Sequence, residues 1–93
     1  MANFSLQIGL NDKESHRQEF NTDYYVKTIG NYVDACTIIP CVGYYKGERE
    51  NSLRVEIYDT TREHVEYLCN EFKAIFNQES IILNELSLNP IFI

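Results

Sequence analysis

The two histidines are the residues of this sequence best suited to proton transfer, because imidazole titrates close to neutral pH. His16 has Asp12 and Glu14 nearby in the chain, and His64 directly follows Glu63. Either histidine could act as a general base if a neighbouring carboxylate held its ring in one tautomer. Surface histidines with acidic neighbours are common, however, so a small enzyme with a histidine base is an alternative and not the preferred interpretation.

Three cysteines, Cys36, Cys41 and Cys69, make an odd count without a Cys-x-x-Cys motif. This pattern predicts neither a disulfide framework nor a zinc site, and no clustered acidic motif points to another metal. We therefore predict reduced, mostly buried thiols and no cofactor. Cys69 falls on the apolar face of a predicted helix, which argues against a cysteine nucleophile.

Tyrosine and arginine side chains form the main candidate binding site. Aromatic rings supply contact area and arginine supplies planar hydrogen bonding, so together they can stack on and clamp a small anionic or nucleotide-like ligand. The predicted ligand-binding residues are Tyr44, Tyr45, Arg49, Arg54 and Tyr58. The same residue types also occur as half-buried cross-strand pairs of a sheet and in homodimer interfaces, and both alternatives stay open for these five.

Four strands and two helices are predicted to position these residues. Alternating apolar and polar residues predict strands over 4–10 and 53–58, and β-branched and aromatic residues predict strands over 35–45 and 81–86. The polar stretches 11–21 and 46–50 are predicted to be a surface loop and a turn.

Apolar residues at helical spacing predict one helix that starts at a Thr22 cap and a second over residues 60–77. The first is expected to bury Tyr25, Val26, Ile29, Tyr32 and Val33. The second is expected to bury Val65, Leu68, Cys69, Phe72, Ile75 and Phe76.

The order β-α-β-β-α-β predicts an α+β fold, the ferredoxin-like sandwich, in which both helices cover one face of a four-stranded antiparallel sheet. In this topology the second and fourth strands lie at the edges. Pro40 in the second strand agrees with an edge position, because proline cannot donate a ladder hydrogen bond.

Ninety-three residues suffice for a single domain, which we assign to residues 1–86. Residues 87–93 form an apolar C-terminal tail that a monomer would have to expose or fold back. Self-association is therefore expected, through a homo-oligomer interface that includes Leu86, Leu88, Ile91, Phe92 and Ile93.

The charge balance excludes one class of partner. Fourteen Asp and Glu against eight Lys and Arg give a formal net charge of −6. Such a chain has no basic surface for phosphate backbones, so direct nucleic-acid binding is not expected. The first residues lack a signal peptide and no apolar run is long enough to span a membrane, which predicts a cytoplasmic protein that does not bind membranes.

Four different short motifs lie near the ends of the predicted elements: Ile8-Gly9-Leu10, Gly43-Tyr44-Tyr45, Arg49-Glu50-Asn51-Ser52 and Phe76-Asn77-Gln78-Glu79-Ser80. This series resembles a family of small bacterial and phage-borne domains of unknown function, over about residues 5–83. The resemblance implies a fold and no catalytic residue. The chain differs in being shorter between Val33 and Thr37 and in its apolar tail. Its compact, acidic character resembles the phage-borne members, which implies a protein of the host cytoplasm.

The triplet Gln78-Glu79-Ser80 is the most specific motif of that series. Glu79 could orient a ligand or a partner. Alternatively, Gln78 and Ser80 could satisfy the last carbonyls of the second helix while the chain turns into the fourth strand. We favour the structural interpretation.

These observations predict a non-enzymatic, homo-oligomeric binding protein, a phage anti-defence protein that sequesters a small nucleotide-like ligand or a host protein. One alternative is an acidic inhibitor that mimics nucleic acid at a basic groove of its target. The other is the histidine-based enzyme, through His16 or His64.

Overall fold

The computed structural model describes residues 1–10 and 21–86, apart from the side chain of Tyr45. The predicted loop 11–20, including His16, lies outside the described residues. So do residues 87–93 of the tail, with the predicted interface residues Leu88, Ile91, Phe92 and Ile93.

The chain forms the predicted sequence of strands and helices. These are β1 (Ala2–Gly9), α1 (Thr22–Tyr32), β2 (Thr37–Tyr45), β3 (Glu48–Thr60), α2 (Arg62–Ile75) and β4 (Ile82–Leu86). The four strands make one antiparallel sheet in the order β2-β3-β1-β4. The ferredoxin-like α+β fold is thus confirmed, with β1 and β3 in the middle and Pro40 on an edge strand.

The hydrophobic core lies between the helices and one face of the sheet. Alternate residues of β1 and β3 supply one side of it, and the apolar stripes of both helices supply the other. The fully buried side chains with the largest volumes include Tyr25, Phe72 and Phe76. The predicted face of α2 is confirmed, whereas two residues predicted to be buried on α1 are not: Val26 is 41% exposed and Tyr32 is 38% exposed.

Polar side chains cap the N-terminal ends of both helices. Asn21 accepts a hydrogen bond from the backbone N–H of Asp23 at 2.8 Å, so the cap of α1 is Asn21 and not the predicted Thr22. Thr61 accepts from the backbone N–H of His64 at 3.2 Å and caps α2. Each cap satisfies one amide that the first helical turn leaves without a backbone acceptor.

The hairpin between β2 and β3 is tighter than the sequence predicts. Tyr45 pairs with Glu48, and the connecting residues Lys46 and Gly47 have φ angles of 50° and 81°. Positive φ at both central residues is the geometry of a type I′ turn, which suits the twist of the flanking strands. The predicted turn over 46–50 is therefore too long, and Glu50 belongs to β3.

Gly30 offers a direct test of helix propensity, because a Cβ added there meets nothing within 4 Å. We expect Gly30→Ala to raise the free energy of unfolding by about 0.5 to 1 kcal/mol, since alanine restricts the unfolded chain and favours a helix interior. Thermal or urea denaturation measures the change. Gly47→Ala should do the opposite because Gly47 has a φ of +81°. A destabilised Gly30→Ala protein would contradict the α1 environment described here.

Candidate functional site

A small cleft lies on the sheet face that the helices leave uncovered, at the end of β1. It has a volume of about 110 Å³. Its walls come from the β2–β3 hairpin on one side and from the segment entering β4 on the other, with β1 as its floor. The lining residues are Gln7, Gly9, Gly43, Tyr44, Glu50, Ser52, Ser80 and Ile82.

Glu50 is the charged residue of this cleft, and its carboxylate lies directly against Gly9. A Cβ placed on Gly9 would collide with Glu50 Oε1 and approach Glu50 Cδ to 2.7 Å. Gly9 pairs with Ser52, two positions along β3, so Glu50 reaches the backbone of Gly9 diagonally across the sheet. Because glycine has no side chain, the carboxylate can rest on bare backbone at the cleft floor.

The end of α2 brings Gln78 and Ser80 to the same place. Asn77 has a φ of 51° and donates its N–H to Ala74 O at 3.4 Å, while Gln78 N–H donates to Lys73 O at 2.9 Å. These two bonds make a Schellman motif, which satisfies the last helical carbonyls and reverses the chain. The structural interpretation of Gln78 agrees with this geometry, whereas Ser80 lines the cleft.

Gln78 is a buried polar residue next to the cleft and is 7% exposed. Its Nε2 donates to Phe76 O at 3.1 Å and to Tyr25 Oη at 3.4 Å. The Tyr25 hydroxyl in turn donates to Gly9 O at 3.0 Å. This network ties the cleft floor to both helices, and the Tyr25 ring stacks on Phe76 at 3.9 Å between centroids.

The five tyrosines and arginines predicted to bind a ligand do not form one cluster. Tyr44 lines the cleft and is 76% exposed, with Arg49 as its cross-strand neighbour on the exposed hairpin. Arg49 and Arg54 are five residues apart on β3, so their side chains leave opposite faces of the sheet. The structure does not describe the side chain of Tyr45.

Arg54 and Tyr58 instead contact the carboxylate of Glu56. Arg54 Nη2 lies 3.1 Å from Glu56 Oε2, and the Tyr58 hydroxyl donates to Glu56 Oε1 at 3.3 Å. Desolvation of the phenol, followed by the negative charge and hydrogen bond of Glu56, raises the pKa of Tyr58, which the Arg54 charge partly opposes. These contacts run along β3 between residues two positions apart, so they differ from the cross-strand pairs of the alternative, which stays a prediction.

Neither His64 nor the cysteines reach the cleft. His64 is exposed in the first turn of α2, with its ring 6.4 Å from that of Tyr67. All three cysteines are free and half-buried, not mostly buried as predicted. Desolvation raises the pKa of the Cys36 and Cys69 thiols, which disfavours the thiolate. Residues 1–10 and 21–86 hold no group of three or more His, Cys, Asp or Glu able to bind a metal ion.

Two larger grooves, of about 310 and 340 Å³, lie beside Pro40 on β2 and between α2 and β4. Neither brings a carboxylate onto the backbone of a strand glycine. The smaller cleft is therefore the stronger candidate, because functional sites combine a concave surface with convergent polar groups.

Glu50 is absent from the predicted site residues because the polar composition of residues 46–50 predicts a turn. Gly9 lies in a predicted strand and has no side chain, so its residue type does not mark it as a site residue. The signal in the sequence is the alternation around Leu53, which can be extended back along β3 through Ser52 to Glu50. Ser52 and Glu50 lie on the same face of β3 as Arg54. Glu50 is part of the strand only if the hairpin turn is as short as Lys46-Gly47.

A solved structure of a phage SAM lyase in its apo state has the same fold as this chain. The match has a TM-score of 0.64 and 22% sequence identity, and it covers 89% of this chain and 78% of the lyase chain. No protein-family model matches the sequence, and no curated protein does. The resemblance to small bacterial and phage-borne domains stays a prediction, as does the acidic-inhibitor alternative.

The prediction of a non-enzymatic protein is contradicted by this comparison. It assumed that a small ferredoxin-like sandwich without a catalytic motif performs no chemistry, whereas the lyase is an enzyme with this fold. Fold and function are separable, so a missing motif does not argue against an enzyme here. As for membranes, neither helix of the described ranges is long and apolar enough to cross a bilayer.

Proposed function

We propose that this protein is a phage anti-defence enzyme that binds S-adenosylmethionine over Gly9 and breaks one of its carbon–sulfur bonds. The observation that carries the proposal is the carboxylate of Glu50, which lies on the bare backbone of Gly9 at the floor of the cleft. The fold shared with a phage SAM lyase adds support.

The charge of the cleft suits a cationic ligand better than the anionic one expected from the tyrosines and arginines. S-adenosylmethionine carries a positive sulfonium, and Glu50 is the charged residue among the eight that line the cleft. A carboxylate attracts and orients a cation most strongly where water is partly excluded. Glu50 is half-buried, which places it in such an environment.

The size of the cleft indicates which part of the ligand it holds. Pockets for small molecules usually measure about 300 to 1,000 Å³. A cleft of about 110 Å³ therefore encloses only part of S-adenosylmethionine, the region around the sulfonium that Glu50 attracts. The nucleoside then lies at the cleft mouth, outside the enclosed volume.

The proposed reaction balances without water or a cofactor. The carbon–sulfur bond breaks and its electron pair goes to sulfur, which turns the sulfonium into a neutral thioether. The remaining four-carbon fragment either loses a proton to Glu50 and becomes unsaturated, or bonds to its own carboxylate oxygen and closes a ring. Glu50 serves as the base in the first route and as the orienting charge in the second.

The test is to incubate the purified protein with S-adenosylmethionine and identify the products by mass spectrometry. The proposal predicts one neutral thioether nucleoside per substrate consumed, and the mass and chromatography of the other fragment distinguish the two routes. Intact substrate, together with an unchanged melting temperature in millimolar S-adenosylmethionine, would rule the proposal out.

We also propose that the protein works as a homo-oligomer that uses the apolar tail. Leu86, the last residue of β4, is half-buried and lies on the same sheet face as the cleft.

Removing residues 88–93 should shift the sedimentation profile toward smaller species, because apolar burial and backbone pairing are lost together. A full-length variant with serine at Leu88, Ile91, Phe92 and Ile93 loses the apolar side chains but keeps the backbone. Comparing it with the truncated protein separates apolar burial from backbone pairing. An unchanged profile for the truncated protein would remove the tail from the interface.

A further inference from the structure

A second glycine of the cleft, Gly43, lies against neutral polar side chains. A Cβ placed on Gly43 would stand 3.1 Å from Gln7 Nε2 and 3.7 Å from Ser52 Oγ. Gln7 and Gly43 belong to β1 and β2, which are separated in the sheet by β3. Because Gly43 has no side chain, the amide of Gln7 and the hydroxyl of Ser52 converge on one point of the cleft wall, each within 4 Å of it.

The two atoms that converge at Gly43 can both donate hydrogen bonds. The amide nitrogen of Gln7 carries two N–H groups and does not accept, and the Ser52 hydroxyl carries one O–H. The ligand group that matches two donors best is one that only accepts. An ionised carboxylate is such a group, and its hydrogen bonds to neutral donors are stronger than those of a neutral oxygen. The chemistry beside Gly43 therefore favours a carboxylate.

We propose that Gln7 and Ser52 bind the amino-acid carboxylate of S-adenosylmethionine, over the bare backbone of Gly43. This inference rests on the proposed function and adds the residues that recognise one part of the substrate. Ser52 lies two positions from Glu50 on the same face of β3, so their α-carbons are about 7 Å apart. Three carbon atoms separate the sulfonium from the carboxyl carbon of the substrate, which lets one ligand contact both places.

Neutral donors suit this position better than a lysine or an arginine would. A cationic side chain beside Glu50 would weaken the negative potential at the sulfonium, because charges interact strongly where water is partly excluded. An amide and a hydroxyl bind the carboxylate without adding positive charge. Ser52 is 3% exposed and Gln7 is half-buried, and hydrogen bonds are stronger in such a low-dielectric environment than in water.

The experiment measures by calorimetry the binding of sinefungin and of its decarboxylated form. Sinefungin has an amine-bearing carbon in place of the sulfonium, so it keeps the positive charge and contains no carbon–sulfur bond to break. The wild-type protein should bind sinefungin about tenfold or more tightly than the decarboxylated form, the size expected for hydrogen bonds to a charged group. Gln7→Glu keeps the shape of the side chain and places a negative charge against the ligand carboxylate, so it should reverse this preference.

Ser52→Ala should reduce the preference for sinefungin in part. Its matched control is Ser5→Ala, which removes a hydroxyl of similar burial from β1, outside the cleft, and should leave the preference unchanged.

The possible outcomes separate this inference from the proposed function. Equal affinities of the wild-type protein for the two ligands would overturn the inference, and so would a Gln7→Glu protein that loses both ligands to the same extent. A wild-type protein that prefers sinefungin but leaves S-adenosylmethionine intact would contradict the proposed reaction and support the carboxylate site. Binding of neither ligand would contradict both.

Discussion

Replacing Phe72 by alanine is expected to lower the free energy of unfolding by about 3 to 5 kcal/mol, the range for truncating a fully buried aromatic ring. Phe72 is completely buried in α2. Its ring packs edge-on against Tyr32 at 5.5 Å and lies 5.7 Å from the ring of Phe76. Alanine would leave a cavity between the two helices that neither neighbour can fill without losing its own packing.

Urea denaturation followed by circular dichroism measures this loss, with Tyr67→Ala as the matched control. Tyr67 lies on the same helix but is 52% exposed, so its truncation should change the free energy of unfolding by less than about 0.5 kcal/mol. Similar losses for the two variants would mean that the apolar stripe of α2 is not the centre of the core.

The fold could be predicted from the sequence because its signals are local and consistent with one another. The alternation in β1 and β3 and the apolar stripe of α2 each specify an element and its buried face. Pro40 added an independent constraint on strand order. The errors on α1, where Val26 and Tyr32 are exposed, arose because a helix of 11 residues at the side of a small sheet buries only a narrow stripe.

The candidate site was harder to predict because it depends on the register between strands. Glu50 and Gly9 are 41 positions apart in the sequence, and they meet only because Gly9 pairs with Ser52. Glu50 also belongs to β3 only because the turn at Lys46-Gly47 has two residues, and Lys-Gly is a weaker turn signal than Asn-Gly. A turn predicted three residues too long therefore excludes Glu50 from the predicted sheet and from its exposed face.

The role of Gln78 could be predicted only in part, for a related reason. Its backbone ends α2 in a Schellman motif, which the polar triplet in the sequence suggested. Its side chain contacts Tyr25, 53 residues away, and the fold alone creates that neighbourhood. Buried amide networks of this kind leave no periodic pattern, because each member is surrounded by unrelated local sequence.

Replacing Glu50 by glutamine is expected to lower kcat/KM for S-adenosylmethionine by about 10² to 10⁴-fold, the range for losing a charged or proton-transferring group at a reaction centre. Glutamine keeps the shape of the side chain but removes the charge that attracts the sulfonium. It cannot take a proton from the substrate either. The side chain reaches Gly9 from the uncovered face of the sheet, so the melting temperature should change little.

The control for this prediction is Glu48→Gln, which removes the same charge from an exposed position two residues earlier on β3. It should retain turnover within about threefold, because an exposed charge outside the cleft acts only through screened, long-range attraction. Equal losses in the two variants would mean that overall negative charge, and not the carboxylate on Gly9, determines activity. Full activity in Glu50→Gln would place the reaction elsewhere on the protein. We expect a large loss in Glu50→Gln and not in Glu48→Gln. Glu50→Asp should keep only part of the turnover, because its shorter side chain holds the carboxylate farther from Gly9.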